Sequence, residues 1–175
     1  VRIAVDELSN KGRTVPFSLE DVWARAAVAE ALDGSLQALK GEVRIQRASP
    51  GVKAVVDASA VADRTCDRCG VGVALAIHAE EELLFLPAGM EVDDDETELE
   101  ADELDVGWYH DDSLNLADVL SEAFALNLPM RITCTVAATE GNEAEAEAAC
   151  TARMSPAAAG DDRIGNPFAV LSKLR

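Results

Sequence analysis

Cys66-Asp67-Arg68-Cys69-Gly70, followed by Val71-Gly72-Val73-Ala74-Leu75-Ala76-Ile77-His78, is the stretch that decides the reading of this chain. Val71, Val73, Leu75 and Ile77 alternate with Gly72, Ala74, Ala76 and His78, the two-residue period of a half-buried strand. The segment before the cysteines, from Ser35 onward, also reads as strands. Val43 and Ile45 alternate with charged neighbours, and Pro50-Gly51 makes a turn into Val52 to Val56. The cysteine pair therefore sits where two strands meet. That setting suits a zinc knuckle, in which backbone amides point at the sulfurs. It does not suit a thioredoxin-type redox pair, which opens a helix whose dipole lowers a thiol pKa. Asp67 between the two thiols works against easy thiolate formation as well.

A closed zinc site needs four ligands. The other cysteines are Cys134 and Cys150, so Cys66, Cys69, Cys134 and Cys150 complete a set by count alone. The alternatives are four reduced, partly buried thiols, three that approach one another, or His78 in place of Cys150. A structural disulfide is not expected in a cytosolic chain.

Upstream, Arg2 to Val5 alternates as a short edge strand. Ser18-Leu19-Glu20-Asp21 has the form of a capping box, and Leu19, Val22, Trp23, Ala26 and Ala27 follow on one helical face until Gly34. This predicts a helix over 19–32, with Trp23 as its core anchor. Downstream, Asn115 caps a second helix whose stripe is Leu116, Val119, Leu120, Ala123 and Phe124, ended by Pro129. Glu143 to Ala149 is weakly helical and acidic. Asn166-Pro167-Phe168 opens a short terminal helix with Phe168, Leu171 and Leu174 on its apolar edge.

Charge is distributed unevenly. Net charge is −18, and between Cys69 and Met130 seventeen acidic residues stand with no lysine or arginine. Ten of those acids fall within Glu91 to Asp105, a stretch with no hydrophobic period that reads as a solvated loop. Such a segment repels RNA and attracts a basic protein over a Debye length, roughly 8–10 Å at physiological salt. Residues 1–68 are balanced, so RNA contact is expected there, at Lys40, Arg44, Arg47, Lys53, Arg64 and Arg68. Deleting Glu91 to Asp105 is expected to remove protein binding and spare RNA binding. No apolar run approaches the ~18–20 residues needed to cross a bilayer, and the reading is a cytoplasmic protein. There is no nucleophile elbow, phosphate-binding glycine loop or HExxH.

Cys66-Asp67-Arg68-Cys69, the Asn115-Leu116 helix running to Leu128-Pro129, Cys134 and the closing Asn166-Pro167-Phe168-Ala169-Val170-Leu171 resemble, in that order, the YceD family. These are the large ribosomal RNA subunit accumulation proteins of bacteria and plastids. The resemblance implies non-enzymatic support of large-subunit (23S) rRNA processing or accumulation, with no catalytic residue to carry over. It also implies a gene setting beside a small basic zinc-ribbon ribosomal protein. Cys134 matches the family's further Cys or His after the Leu-Pro segment, whereas Cys150 lies farther along than the remaining ligand of many relatives.

The expected architecture is a single α+β domain, an antiparallel sheet with two packed helices. Residues 1–130 form the core with an acidic loop at 89–105, and 131–175 form a loosely attached tail. The expected partners are large-subunit rRNA or its precursor and a basic large-subunit ribosomal protein, with zinc as the one cofactor. The competing reading is an adaptor unrelated to RNA that docks a partner through Asn166, Pro167, Phe168, Leu171 and Leu174.

Overall fold

A computed structural model describes residues 1–9, 11–89 and 106–154. The acidic segment 91–105 and the terminal Asn-Pro-Phe motif, both singled out above, lie outside these. Seven strands and three helices are present among the described residues: β1 (Arg2–Ala4), β2 (Arg13–Ser18), α1 (Val22–Ala31), β3 (Ser35–Ala48), β4 (Gly51–Thr65), β5 (Gly72–Pro87), β6 (Val106–Tyr109), β7 (Ser113–Asn115), α2 (Leu116–Leu126) and α3 (Glu143–Met154). The α+β expectation holds. None of the described helices is long and apolar enough to cross a membrane.

The main sheet has the order β2-β3-β4-β5-β6. Three long strands form a meander through two hairpins, with Val43 opposite Val56 and Ala54 opposite Leu83. All pairs are antiparallel except β5 with β6, which run parallel. The alternation seen in the sequence is realised, since Leu75, Ile77 and Ala79 are buried while Ala74, Ala76 and His78 are exposed. One face of the sheet is therefore core, built from Val43, Ile45, Val52, Val56 and their neighbours. α1 and α2 cover that face and pack on each other, and the Ser121 hydroxyl donates to the Ala27 carbonyl at 3.2 Å. Among the described residues no element covers the opposite face, which is largely polar.

α2 follows the sequence closely. The Asn115 side chain accepts from the Ala117 N–H at 3.3 Å, and Leu116, Val119, Leu120, Ala123 and Phe124 are all buried. α1 departs from it. The helix starts at Val22 rather than Leu19, because Ser18 is still paired with Lys40 as the last residue of β2. The capping-box carboxylate is present in altered form: Asp21 accepts from the Ser18 N–H at 2.8 Å and from its hydroxyl at 3.2 Å. The buried face is Ala24, Ala27 and Val28, while Val22 is 67% exposed and Ala26 is exposed. The later start turns the helix so that Ala24, Ala27 and Val28 face the core and Val22 faces out. Trp23 packs edge-on against Phe17, 5.8 Å between ring centroids, as an anchor of the core.

Gly41 shows how tightly the central strands are packed. A Cβ there would lie 2.5 Å from the Ala58 Cβ and 2.6 Å from the Asp57 carbonyl oxygen. Gly41→Val is expected to destabilise by about 1–3 kcal/mol through overpacking, read as a lower urea midpoint at unchanged m-value. An unchanged midpoint would mean that β3 and β4 have room to separate.

Candidate metal centre

β4 ends at Thr65 and β5 begins at Gly72, so residues 66–71 form the tip of a long hairpin. The tip is closed by its own backbone. The Cys66 N–H donates to the Val71 carbonyl at 2.8 Å, and the Gly70 N–H donates to the Cys66 carbonyl at 2.9 Å. Gly70 has φ of +72°, a left-handed conformation that glycine adopts without Cβ cost. The turn brings Cys66 and Cys69 to one side of the hairpin.

The other two cysteines arrive from residues 131–154. Asp67 clamps the incoming chain twice: its N–H donates to the Ile132 carbonyl at 2.7 Å, and its carboxylate accepts from the Ile132 N–H at 2.6 Å. Ile132 is buried in the main core, and Cys134 follows it into the cluster. α3 then returns Cys150, held by the Arg68–Glu147 ion pair and by the Thr135 hydroxyl donating to Glu147 at 3.0 Å. Arg68 and Asp67, the two residues inside the pair, thus fasten the two incoming segments.

All four sulfurs lie within 4.8 Å of one another, with Cys66 to Cys150 at 3.9 Å and Cys69 to Cys134 at 3.6 Å. Four thiolates around a tetrahedral zinc at about 2.3 Å sit roughly 3.8 Å apart. The geometry fits that donor set. Three of the four are buried and Cys69 is half-buried. No other grouping of three or more metal-ligating side chains occurs among the described residues.

The thiols are electrostatically unequal. Burial pushes Cys66 upward, but the Cys69 and Arg68 backbone N–H groups outweigh it and bring the thiol down to about 6. Cys69 is lowered chiefly by the Val71 backbone. Burial raises Cys134, and pushes Cys150 up to about 12. The knuckle thus supplies ready thiolates and the incoming segments supply thiols that a cation must deprotonate. Arg153 donates towards the Cys134 sulfur at 3.8 Å, a contact that the sequence did not flag. Four thiolates and a divalent cation leave two net negative charges, and Arg68 and Arg153 stand beside them.

His78 is not part of the cluster. It lies on the open sheet face, its Nδ1 3.1 Å from the Ser59 hydroxyl and its Nε2 4.0 Å from Asp57. The six basic residues do not form one patch. Lys40, Arg44 and Lys53 share the open face, where Arg44 is paired with Glu42 and Lys53 with Glu82. Arg47 donates to the Val5 carbonyl at 2.9 Å. Arg64 reaches the Leu32 and Asp33 carbonyls at the end of α1, and Arg68 serves α3. Asn166, Pro167, Phe168, Leu171 and Leu174 lie outside the described residues.

A family model described as "Large ribosomal RNA subunit accumulation protein YceD" matches residues 55–175. The chain belongs to the YceD family. No curated protein and no solved structure matches it. The YceD match begins within β4 and takes in all four cysteines, whereas β1, β2, α1 and β3 precede it.

Proposed function

We propose that this chain supports accumulation of the large-subunit ribosomal RNA by binding, in the cytoplasm and without catalysis, and that Cys66, Cys69, Cys134 and Cys150 hold a structural zinc ion. The family match carries the first part. The sulfur geometry supports the second: four protein ligands close a tetrahedral site and leave no position for substrate, the arrangement of structural rather than catalytic zinc. The ion supplies crosslinking, tying 131–154 to the β4–β5 hairpin.

The favoured macromolecular partner is a basic large-subunit ribosomal protein. Between Cys69 and Met130 the chain offers seventeen acids and no base. Of the six basic residues first assigned to RNA, Arg44, Lys53, Arg64 and Arg68 are ion-paired and Arg47 holds a backbone carbonyl. RNA contact remains the second reading because Lys40, Arg44 and Lys53 share one exposed face. The adaptor reading would use Asn166, Pro167, Phe168, Leu171 and Leu174 instead, which lie outside the described residues.

Native mass spectrometry of the chain with purified large-subunit ribosomal proteins and a precursor rRNA fragment separates these readings. The expected result is about one zinc per chain and capture of a basic ribosomal protein that weakens steeply with salt. Capture of the RNA fragment alone would transfer the function to the Lys40 face. Binding of neither, with no metal, would overturn the proposal.

A further inference from the structure

β5 runs sixteen residues, from Gly72 to Pro87. On one side it pairs along its whole useful length with β4, from Gly72 opposite Thr65 to Phe85 opposite Val52. On the other side β6 takes up only Leu84 to Pro87. Among the described residues no strand pairs with Gly72 to Leu83 on that second side. Twelve residues at about 3.3 Å each leave an open ladder roughly 40 Å long.

Unpaired edges of this length attract other strands, and proteins blunt them with proline, lysine, bulges or inward charges. This edge has no proline or lysine from Gly72 to Leu83. Its register with β4 is unbroken by a bulge. The one inward carboxylate, Glu81, is held at the α2 end by the Asn127 amide, which donates to it at 2.8 Å. What remains is negative charge at Glu80 on the exposed side, where Glu82 also lies but is ion-paired with Lys53. Negative charge deters a second copy of a chain carrying −18 and favours a strand carrying positive charge. Of the side chains on the exposed side before them, Ala74 and Ala76 are small and leave a neighbouring strand room, while His78 lies against Ser59 and Asp57 of β4.

We infer that the edge of β5 from Gly72 to Leu83, unpaired among the described residues, accepts an extended basic segment of a protein partner as an added strand. This rests on the reading that the partner is a basic ribosomal protein, and it specifies how that partner is held. Main-chain hydrogen bonds to β5 supply affinity, as in other strand-addition complexes. The acidic residues around the edge select a basic strand and speed its encounter.

Hydrogen–deuterium exchange of the full chain tests the inference, alone and with each purified large-subunit ribosomal protein that native mass spectrometry shows to bind. Binding is expected to slow the edge-facing amides of Gly72 to Leu83 by about tenfold or more, leaving β2 and β3 unchanged. Glu80→Lys, at an exposed site, is expected to weaken that binding about tenfold at low salt and to leave the melting temperature unmoved. A bound ribosomal protein that protects β3 or the helices and not β5 would overturn the edge assignment while sparing the partner reading. Slowing of β5 by the rRNA fragment, or dimers of the chain that protect β5, would overturn it in favour of that occupant. If no ribosomal protein binds at all, the partner reading and the edge assignment fall together.

Discussion

A Phe124→Ala chain is expected to lose about 3–5 kcal/mol of stability, a large part of the 5–15 kcal/mol that holds a domain of ordinary stability. Among the described residues Phe124 is the largest fully buried side chain. It lies on α2, the element that packs on both α1 and β5, so no single neighbour can move in to fill the space. The cavity term therefore adds to the lost transfer energy. The measurement is a thermal or urea melt, in which a domain of this size moves roughly 2–4 °C per kcal/mol. A loss below about 1 kcal/mol would show that α2 does not seal the sheet. The same melt followed by metal release should show one transition, because Ile132 belongs to the core while Cys134, two residues on, belongs to the cysteine cluster.

The parts of the fold that were legible in the sequence are those in which one local rule acts alone. α2 has a capping asparagine, an apolar stripe and a terminating proline, and all agree. β5 shows strict alternation between two clear boundaries. α1 was misplaced because its capping signal overlaps the end of a strand, and the long-range pairing of Ser18 with Lys40 decides the boundary. β2 itself had no signal, since Arg13-Thr-Val-Pro-Phe-Ser alternates weakly and carries a proline at an edge. The parallel pairing of β6 depends on a connection through the acidic segment, which no local pattern encodes.

The four-cysteine cluster was half legible. Cys66 and Cys69 declare themselves by spacing. The strand setting argues against a helix-dipole redox pair, but it does not keep the thiols high: against burial, backbone N–H groups of the turn lower both, Cys66 to about 6. Cys134 and Cys150 are distant in sequence, and only the Asp67 clamp and the Arg68–Glu147 pair bring them in. Those two fastening residues stand inside the CxxC itself. Asp67 does not hold the neighbouring thiols up, as its charge alone suggests, since Cys66 and Cys69 are both lowered; its carboxylate serves instead as the acceptor for the passing Ile132 N–H. The basic residues read worst. Counting charges locates cations but not their partners, and Arg64 is consumed by the end of α1 at a separation of some thirty residues along the chain.

Cys150→Ser is expected to reduce bound zinc from about one equivalent to about none, while leaving the sheet and α1–α2 folded. Serine preserves the size of the side chain and removes the thiolate, so packing is not what changes. Without the fourth ligand α3 keeps its contacts to Arg68 and Thr135 and the Arg153 contact to the Cys134 sulfur, and its amides should exchange much faster than those of α2. The pH dependence follows from the same sulfurs. Metal binding requires thiolates, and Cys134 and Cys150 are raised by burial, so zinc uptake expels protons. Affinity therefore falls as pH falls, and falls more steeply below about 6, where Cys66 also holds its proton. In the metal-free chain the signs oppose one another. Cys66, at about 6 against an ordinary 9.0, adds stability as pH rises from 6 to 9. Cys150, at about 12, subtracts it above 9. Zinc content against pH, with exchange read on α3, checks both arms. A Cys150→Ser chain that keeps its zinc, or one whose α3 is as protected as before, would show that the four sulfurs converge without a shared ion.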